Sequence, residues 1–265
     1  MKRILLILIS LSLALGACVG VHEEDDPEPP VPVIDPEDGS ADAGTRFFHR
    51  CLALEFTATW CQYCPNMADA LESAQRERPG RLVEVAVHYS DALAAPESGA
   101  LVKRFSVTTF PTMVLDLDPA TKFQRHDPQP MIAHVDAVSG QAVGGLAVDA
   151  SVAGTVRVRV KAVSEGRYRV AVALVRDGTV TEQAGYGPGY VNRAVLQSFI
   201  SADEGYSLGL MRAEEERTAD FQAPEAASGL RVAAWLIRET EAGLRAENAA
   251  KCAIGKKIDY RYEVD

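Results

Sequence analysis

The stretch that decides the fold is LALEFTATWCQYCP, residues 52–65. Its first part, residues 52–57, is mostly apolar and has the length of a β-strand. Residues 66–76, which follow it, are rich in good helix formers. The pattern predicts a strand that leads directly into a helix, with Cys61 and Cys64 at the junction.

The junction gives the two cysteines different chemistry. If the helix begins near Cys61, its sulfur lies beside unpaired backbone N–H groups and the positive end of the helix dipole, with Cys64 one turn further along the same face. In such positions the pKa of a thiol can fall to about 3.5–7.5, from about 8.5 for a free thiol. We therefore expect Cys61 to be the attacking sulfur and Cys64 the resolving one.

A lone Cys-x-x-Cys pair can also be half of a zinc site, or simply two core residues. A zinc site would need two more ligands, and the sequence has no second Cys-x-x-Cys and no paired-histidine spacing. We therefore predict no metal site. A redox pair needs no cofactor either, because the cysteines supply the electrons themselves.

The cysteine pair, with Trp60 before it and a strand before that, resembles the active site of the thioredoxin superfamily. Residues 106–116, SVTTFPTMVLD, resemble the cis-proline loop of the same superfamily. The resemblance implies an α/β thioredoxin-like fold in which Pro111 is cis, lies against the cysteine pair and exposes backbone to an extended substrate peptide. From the residues alone, Pro111 could instead be an ordinary trans proline at the start of a strand.

Glu55 stands six residues before Cys61, where the superfamily often keeps a buried acidic residue. The resemblance implies that burial raises the pKa of this carboxyl group and that it accepts the proton of Cys64 during exchange. The alternative is that Glu55 faces solvent, as most acidic residues in strands do.

The N-terminus predicts export. Residues 1–3 are Met-Lys-Arg, and residues 4–15 form an apolar run that is too short to span a bilayer. Residues 15–18, LGAC, resemble a bacterial lipobox, which implies a signal peptide over 1–17 and a lipid-modified Cys18. The alternative is an ordinary signal peptide with Cys18 left as a thiol. The residue after Cys18 is Val, which by analogy favours sorting to the outer membrane.

Residues 18–44 predict an extended, solvated tether. From residue 19 onward they contain nine acidic residues and five prolines but no Lys or Arg, so they cannot bury enough apolar surface to fold. These acids nearly account for the net charge of −10. The rest of the chain is close to neutral and has no basic stripe, which argues against nucleic-acid binding.

The remaining chain predicts two domains. Residues 45–140 alternate strand and helix patterns in the order of a thioredoxin core. Residues 145–265 change to a period of two, as in TVRVRVKAV at 155–163. Several such segments separated by turn signals predict an immunoglobulin- or fibronectin-like β-sandwich. The expected fold class is therefore an α/β thioredoxin-like domain followed by an all-β sandwich.

Two cysteines, Cys51 and Cys252, have no role in the scheme so far. In an exported protein two leftover cysteines often pair. We hypothesise a Cys51–Cys252 disulfide that fixes the sandwich to the redox domain. Both could instead be buried thiols.

The whole layout resembles the twenty-eight-kilodalton outer-membrane lipoprotein family of Bacteroidota. The expected function is a thiol–disulfide oxidoreductase, tethered to the membrane by its lipid, that acts on thiols and disulfides of exported proteins. The reductase, oxidase and isomerase directions all stay open, as does the oligomeric state. The competing hypothesis is a surface-exposed binding or adhesin lipoprotein whose thioredoxin-like domain is a redox-inactive scaffold.

Overall fold

The computed structural model describes residues 46–224 and 229–264. The predicted signal peptide, Cys18 and the tether over 18–44 lie outside these residues. The first part of the described chain alternates strands and helices: β1 (Cys51–Thr57), α1 (Cys64–Glu77), β2 (Leu82–His88), α2 (Ser98–Arg104), β3 (Thr112–Leu115), a 3-10 turn (Pro119–Thr121) and α3 (Gln129–Val138).

Strand β1 is buried along its whole length because both of its faces are covered. It pairs in parallel with β2 and antiparallel with β3. Leu52, Leu54 and Phe56 pack on the side of α2, together with Phe105. Cys51 and Ala53 point the other way, beneath α1 and α3. This arrangement explains why the sequence of β1 is a nearly continuous apolar run rather than an alternating one.

The rest of the described chain is rich in strands. They are β4 (Gly144–Asp149), β5 (Thr155–Ala162), β6 (Gly166–Arg176), β7 (Thr179–Gln183), β8 (Gly187–Asn192), β9 (Val195–Phe199), β10 (Tyr206–Met211), β11 (Glu216–Gln222), β12 (Leu230–Thr240), β13 (Gly243–Ala253) and β14 (Lys257–Ile258). Strand β5 buries Val156, Val158 and Val160 and turns its basic residues outward. The alternation is therefore that of a strand with one face on a core, and the predicted fold class is confirmed.

These strands form two layers with a core between them. One layer is a four-stranded sheet in the order β11-β5-β4-β14. The facing layer contains β6 and β12. Val158 and Val160 from the first layer pack with Val172 and Leu236 from the second. Strands β7 and β8 form a separate two-stranded hairpin.

The second layer continues into the thioredoxin-like region. Its main path runs β13-β12-β6-β9-β2-β1-β3, and β10 pairs with β6. Strand β9 joins the two regions through one parallel pair, Ala86 with Val195. One hydrophobic cluster contains both Phe56 from β1 and Trp235 from β12. The two predicted regions therefore share a sheet and a core, while the domain limits themselves stay a prediction.

The hypothesised disulfide between Cys51 and Cys252 is not formed, because the two thiols are not bonded to each other. Cys51 packs beneath α1 and α3. Cys252, on β13, packs in the core between the two sandwich layers. The two cysteines thus belong to different hydrophobic clusters, although both are buried.

No helix within residues 46–224 and 229–264 is both long enough and apolar enough to cross a membrane.

Candidate redox site

Cys61 and Cys64 form a disulfide in the turn between β1 and α1. The Cys61 N–H donates to the Ala58 carbonyl at 3.1 Å, and the Cys64 N–H donates to the Cys61 carbonyl at 3.3 Å. Helix α1 begins at Cys64, three residues later than expected, with Pro65 in its first turn. A proline is accepted there because the first helical N–H groups need no partner within the helix. Cys64 is therefore the first helical residue, and Cys61 lies in the turn before it.

Aromatic side chains surround the disulfide. The Phe110–Pro111 peptide bond is cis, as the resemblance implied. Phe110 packs against Cys61 and Cys64. It also meets Trp60 edge to face, with ring centroids 5.3 Å apart, and stacks on Tyr89 at 5.6 Å. Trp60 and Tyr63 are exposed, whereas only 5% of the Cys61 surface is accessible.

Glu55 is buried under this site, with 2% of its surface exposed. Its Oε1 atom has no hydrogen-bond partner among the described residues. Burial raises the pKa of this carboxyl group well above its usual value, the neighbouring Glu84 raises it further, and Arg193 opposes the shift. The expectation that Glu55 is buried with a raised pKa is confirmed, and its catalytic role stays a prediction.

A small cavity of about 20 Å³ joins Glu55 to Cys64. That volume holds about one water molecule. Glu84 also lines the cavity. In the parallel pairing of β1 with β2, Glu55 lies opposite Ala86 and Glu84 lies opposite Ala53. Both carboxyl groups are therefore on the same face of the sheet. Burial raises the pKa of Glu84 as well, with Lys251 and Arg193 opposing. The sequence reasoning missed Glu84, whose only signal is a single acidic residue within an apolar strand.

His88 and Asp91 form a second polar pair at this end of β2. The His88 Nδ1 atom lies 2.8 Å from Asp91 Oδ2, and the Thr59 N–H donates to the same oxygen at 2.7 Å. Burial by itself raises the pKa of Asp91, but the hydrogen bonds from His88 and Thr59 outweigh it and lower that pKa. The pair holds Thr59, and with it the turn that carries the disulfide.

The β7–β8 hairpin also contacts this turn. The buried Gln183 side chain donates through Nε2 to the carbonyl of Cys61 at 2.8 Å and to that of Ala58 at 3.1 Å. The Ala184 N–H donates to the Thr59 carbonyl at 2.8 Å. The Tyr186 hydroxyl donates to Asn66 at 2.9 Å. Sequence reasoning did not find these contacts, since nothing in a strand–turn–strand pattern indicates what the hairpin rests on.

The disulfide at a strand–helix junction and the cis-proline segment beside it define a thioredoxin-like redox fold. Residues 48–134 match the family model described as thioredoxin. The solved structure titled HBP35 of Porphyromonas gingivalis is similar over 83% of this chain and 77% of that one, with 18% identity and a TM-score of 0.66. A crystal structure of an Agrobacterium tumefaciens protein is similar over 80% of this chain and 97% of that one, with 15% identity and a TM-score of 0.58.

At these identities the two structures support the fold alone. No curated protein matches the sequence significantly. Residues 48–134 thus form a thioredoxin-like domain with a Cys-x-x-Cys pair, and a strand-rich region follows it.

Proposed function

We propose that this protein is a thiol–disulfide oxidoreductase that exchanges disulfides with exported proteins while a lipid on Cys18 holds it at the outer membrane. Membership of the twenty-eight-kilodalton outer-membrane lipoprotein family belongs to the same proposal. The observation that carries the proposed chemistry is the Cys61–Cys64 disulfide at the start of α1, where Cys64 lines the same small cavity as the buried Glu55.

In the reducing direction, the Cys61 thiolate attacks a substrate disulfide. One substrate sulfur leaves as a thiolate and takes up a proton, and Cys61 is joined to the other sulfur in a mixed disulfide. Cys64 then loses its proton and attacks Cys61, which releases the second substrate thiol and closes the Cys61–Cys64 bond. Two electrons and two protons pass to the substrate. The oxidising direction is the reverse of these steps.

Glu55 is placed to take the proton of Cys64 in the second step. Both residues line the same cavity, which has room for one bridging water. Burial brings the pKa of the carboxyl group closer to that of a thiol, and transfer between groups of similar pKa is the efficient case.

The exposed aromatic side chains around the disulfide favour a protein as the substrate. Trp60, Tyr63 and Tyr89 are exposed large side chains around the disulfide. Such rings supply apolar contact area at low cost in side-chain entropy. An unfolded or extended segment with its own apolar side chains fits this surface.

A second candidate is a surface binding or adhesin lipoprotein in which the disulfide is static. The low exposure of Cys61 and the hydrogen bonds from Gln183 that hold its turn favour this reading. The two candidates differ in whether the disulfide turns over.

The deciding experiment is a glutathione- or dithiothreitol-coupled insulin reduction assay. We expect the wild-type protein to be active, Cys61→Ser to be inactive and Cys252→Ser, a matched thiol control, to keep wild-type activity. The Cys64→Ser variant should accumulate mixed disulfides at Cys61. Equal rates for wild type and Cys61→Ser would support the scaffold reading, in which the disulfide does not turn over. Incorporation of labelled palmitate, absent in Cys18→Ser, tests the anchor.

A further inference from the structure

A second cluster of reactive side chains lies at the opposite end of β1 from the disulfide. His49 precedes the strand, Cys51 is its first residue, and Asp116 follows β3. One donor atom of each lies within 4.8 Å of the other two, and all three side chains are buried. At about 3.3 Å per residue, the strand keeps this cluster roughly 20 Å from the turn that carries the redox pair. The mechanism proposed above does not use it.

The imidazole of His49 is unusual. It is buried, with a relative exposure of 5%, and although it lies near the backbone of Val138, neither ring nitrogen makes a hydrogen bond of good geometry among the described residues. Buried polar atoms in folded proteins nearly always have a partner, so an unsatisfied ring needs an explanation. Its Nε2 atom lies 4.0 Å from Asp116 Oδ2, which is too far for a hydrogen bond.

The Cys51 thiol donates toward Asp116, but the separation between His49 and Asp116 suits two ligands of one ion better than a hydrogen bond. Two nitrogen or oxygen ligands of a tetrahedral zinc ion, each at about 2.0–2.1 Å, lie about 3.4 Å apart. The distance from His49 to Asp116 exceeds that by well under 1 Å, so small side-chain rotations close it. One thiol, one imidazole and one carboxyl group form a mixed donor set that suits Zn²⁺ and not Mg²⁺ or Ca²⁺.

The charges also balance. A thiolate and a carboxylate together neutralise a divalent cation, and the imidazole binds in its neutral form, so the buried cluster carries no net charge when metal is bound. Binding replaces the proton on the Cys51 sulfur with the metal and releases that proton to solvent.

The carboxyl group of Asp116 is already held in place. Its Oδ1 accepts the Leu52 N–H at 2.7 Å, and its Oδ2 lies 2.7 Å from His134 Nε2. Hydrogen bonds of this kind orient metal ligands. The side chain of His134 is partly exposed, which gives the cluster a side toward solvent.

We propose that His49, Cys51 and Asp116 form a Zn²⁺ site, with His134 as the positioning residue that orients the Asp116 ligand and with a water molecule in the fourth position. The site joins the segment before β1, the start of β1 and the turn after β3, and through His134 it reaches α3. It therefore stabilises the end of the thioredoxin-like region that is remote from the disulfide.

The test uses Co²⁺ as a spectroscopic probe for the full chain, stripped of metal and oxidised so that Cys61 and Cys64 cannot bind. We expect a thiolate-to-cobalt charge-transfer band that saturates at one equivalent and that Zn²⁺ abolishes, and a rise in melting temperature with either metal. Cys51→Ser should lose the band, and Cys252→Ser, which removes a buried thiol outside the cluster, should keep it. His134→Gln should weaken Co²⁺ binding about 10- to 100-fold.

Because Cys51 is buried, circular dichroism must first establish that Cys51→Ser folds. If it does not, His49→Gln replaces it and should weaken Co²⁺ binding at least as much as His134→Gln does. The proposal is overturned if stoichiometric Co²⁺ produces no charge-transfer band in the wild-type protein. It is equally overturned if the band persists in a folded Cys51→Ser or keeps its wild-type affinity in His49→Gln.

Discussion

Replacing Gln183 with Ala should destabilise the protein through the turn that carries the redox disulfide. The Gln183 amide donates to the carbonyls of Ala58 and Cys61, which are more than 120 residues away in sequence. The side chain is almost completely buried. Among the described residues, no other side chain of the hairpin makes two hydrogen bonds to this turn. The substitution therefore removes the most direct link between the hairpin and the turn.

The magnitude follows from the contacts. Each hydrogen bond contributes about 0.5–1.5 kcal/mol net, and the buried methylene adds about 0.8 kcal/mol. Both carbonyls keep a backbone partner, since Ala58 still accepts from Cys61 and Cys61 from Cys64. The expected loss of unfolding free energy is therefore in the lower part of the range to which these contributions add up, at about 2–3 kcal/mol.

Urea unfolding measures this loss as a lower midpoint with an unchanged slope. Gln183→Met keeps most of the volume but cannot donate, so it should retain part of the packing and lose about 1–3 kcal/mol. Gln62→Ala, at an exposed position in the same turn, should stay within about 0.5 kcal/mol of wild type. If Gln183→Ala were as stable as Gln62→Ala, the hairpin would not support the redox turn and the reasoning would fail.

Three further outcomes are expected. Glu55→Gln should slow the release of substrate from the Cys61 mixed disulfide by about 10²-fold or more, because the proton acceptor for Cys64 is lost. Stopped-flow measurements across pH follow this rate, and an unchanged rate would remove Glu55 from the mechanism. Burial raises the pKa of Glu247 from 4.5 to about 7, so its contribution to stability is full below pH 4.5 and is lost as the pH rises through 7. Glu247→Gln should therefore flatten the dependence of the unfolding free energy on pH between 4.5 and 7. An unchanged profile would show that burial does not raise the pKa of Glu247. Residues 45–140 expressed alone should aggregate, because the apolar cluster that β1 and β2 share with β6 and β12 would be left partly uncovered. A monomeric, folded fragment by gel filtration would show that the shared core is dispensable.

The parts of the site that sequence reasoning predicted depend on local patterns. The strand and helix around the cysteines follow from apolar content and helix propensity over a few residues, and Glu55 and Pro111 stand at fixed offsets from them. The helix start was placed too early, because the turn over residues 61–63 carries no capping side chain that would mark the boundary.

The parts that could not be predicted are contacts between distant segments. The bonds from Gln183 join residues far apart in sequence, and no propensity records them. The clustering of His49, Cys51 and Asp116 depends on the pairing of β1 with β3, so no ligand spacing appears along the chain. The hypothesised Cys51–Cys252 bridge failed for the same reason: counting cysteines does not reveal which side of a sheet each one occupies.

The single pair of residues that joins β9 to β2 limits how this molecule can move. Since the two regions are parts of one sheet, a bending motion that opens a cleft between them would have to tear backbone hydrogen bonds. The β7–β8 hairpin is different, because its strands pair only with each other among the described residues and it rests on the redox turn through a handful of contacts. Because Gln183 holds the Ala58 and Cys61 carbonyls, any displacement of the hairpin also releases the turn that carries the disulfide.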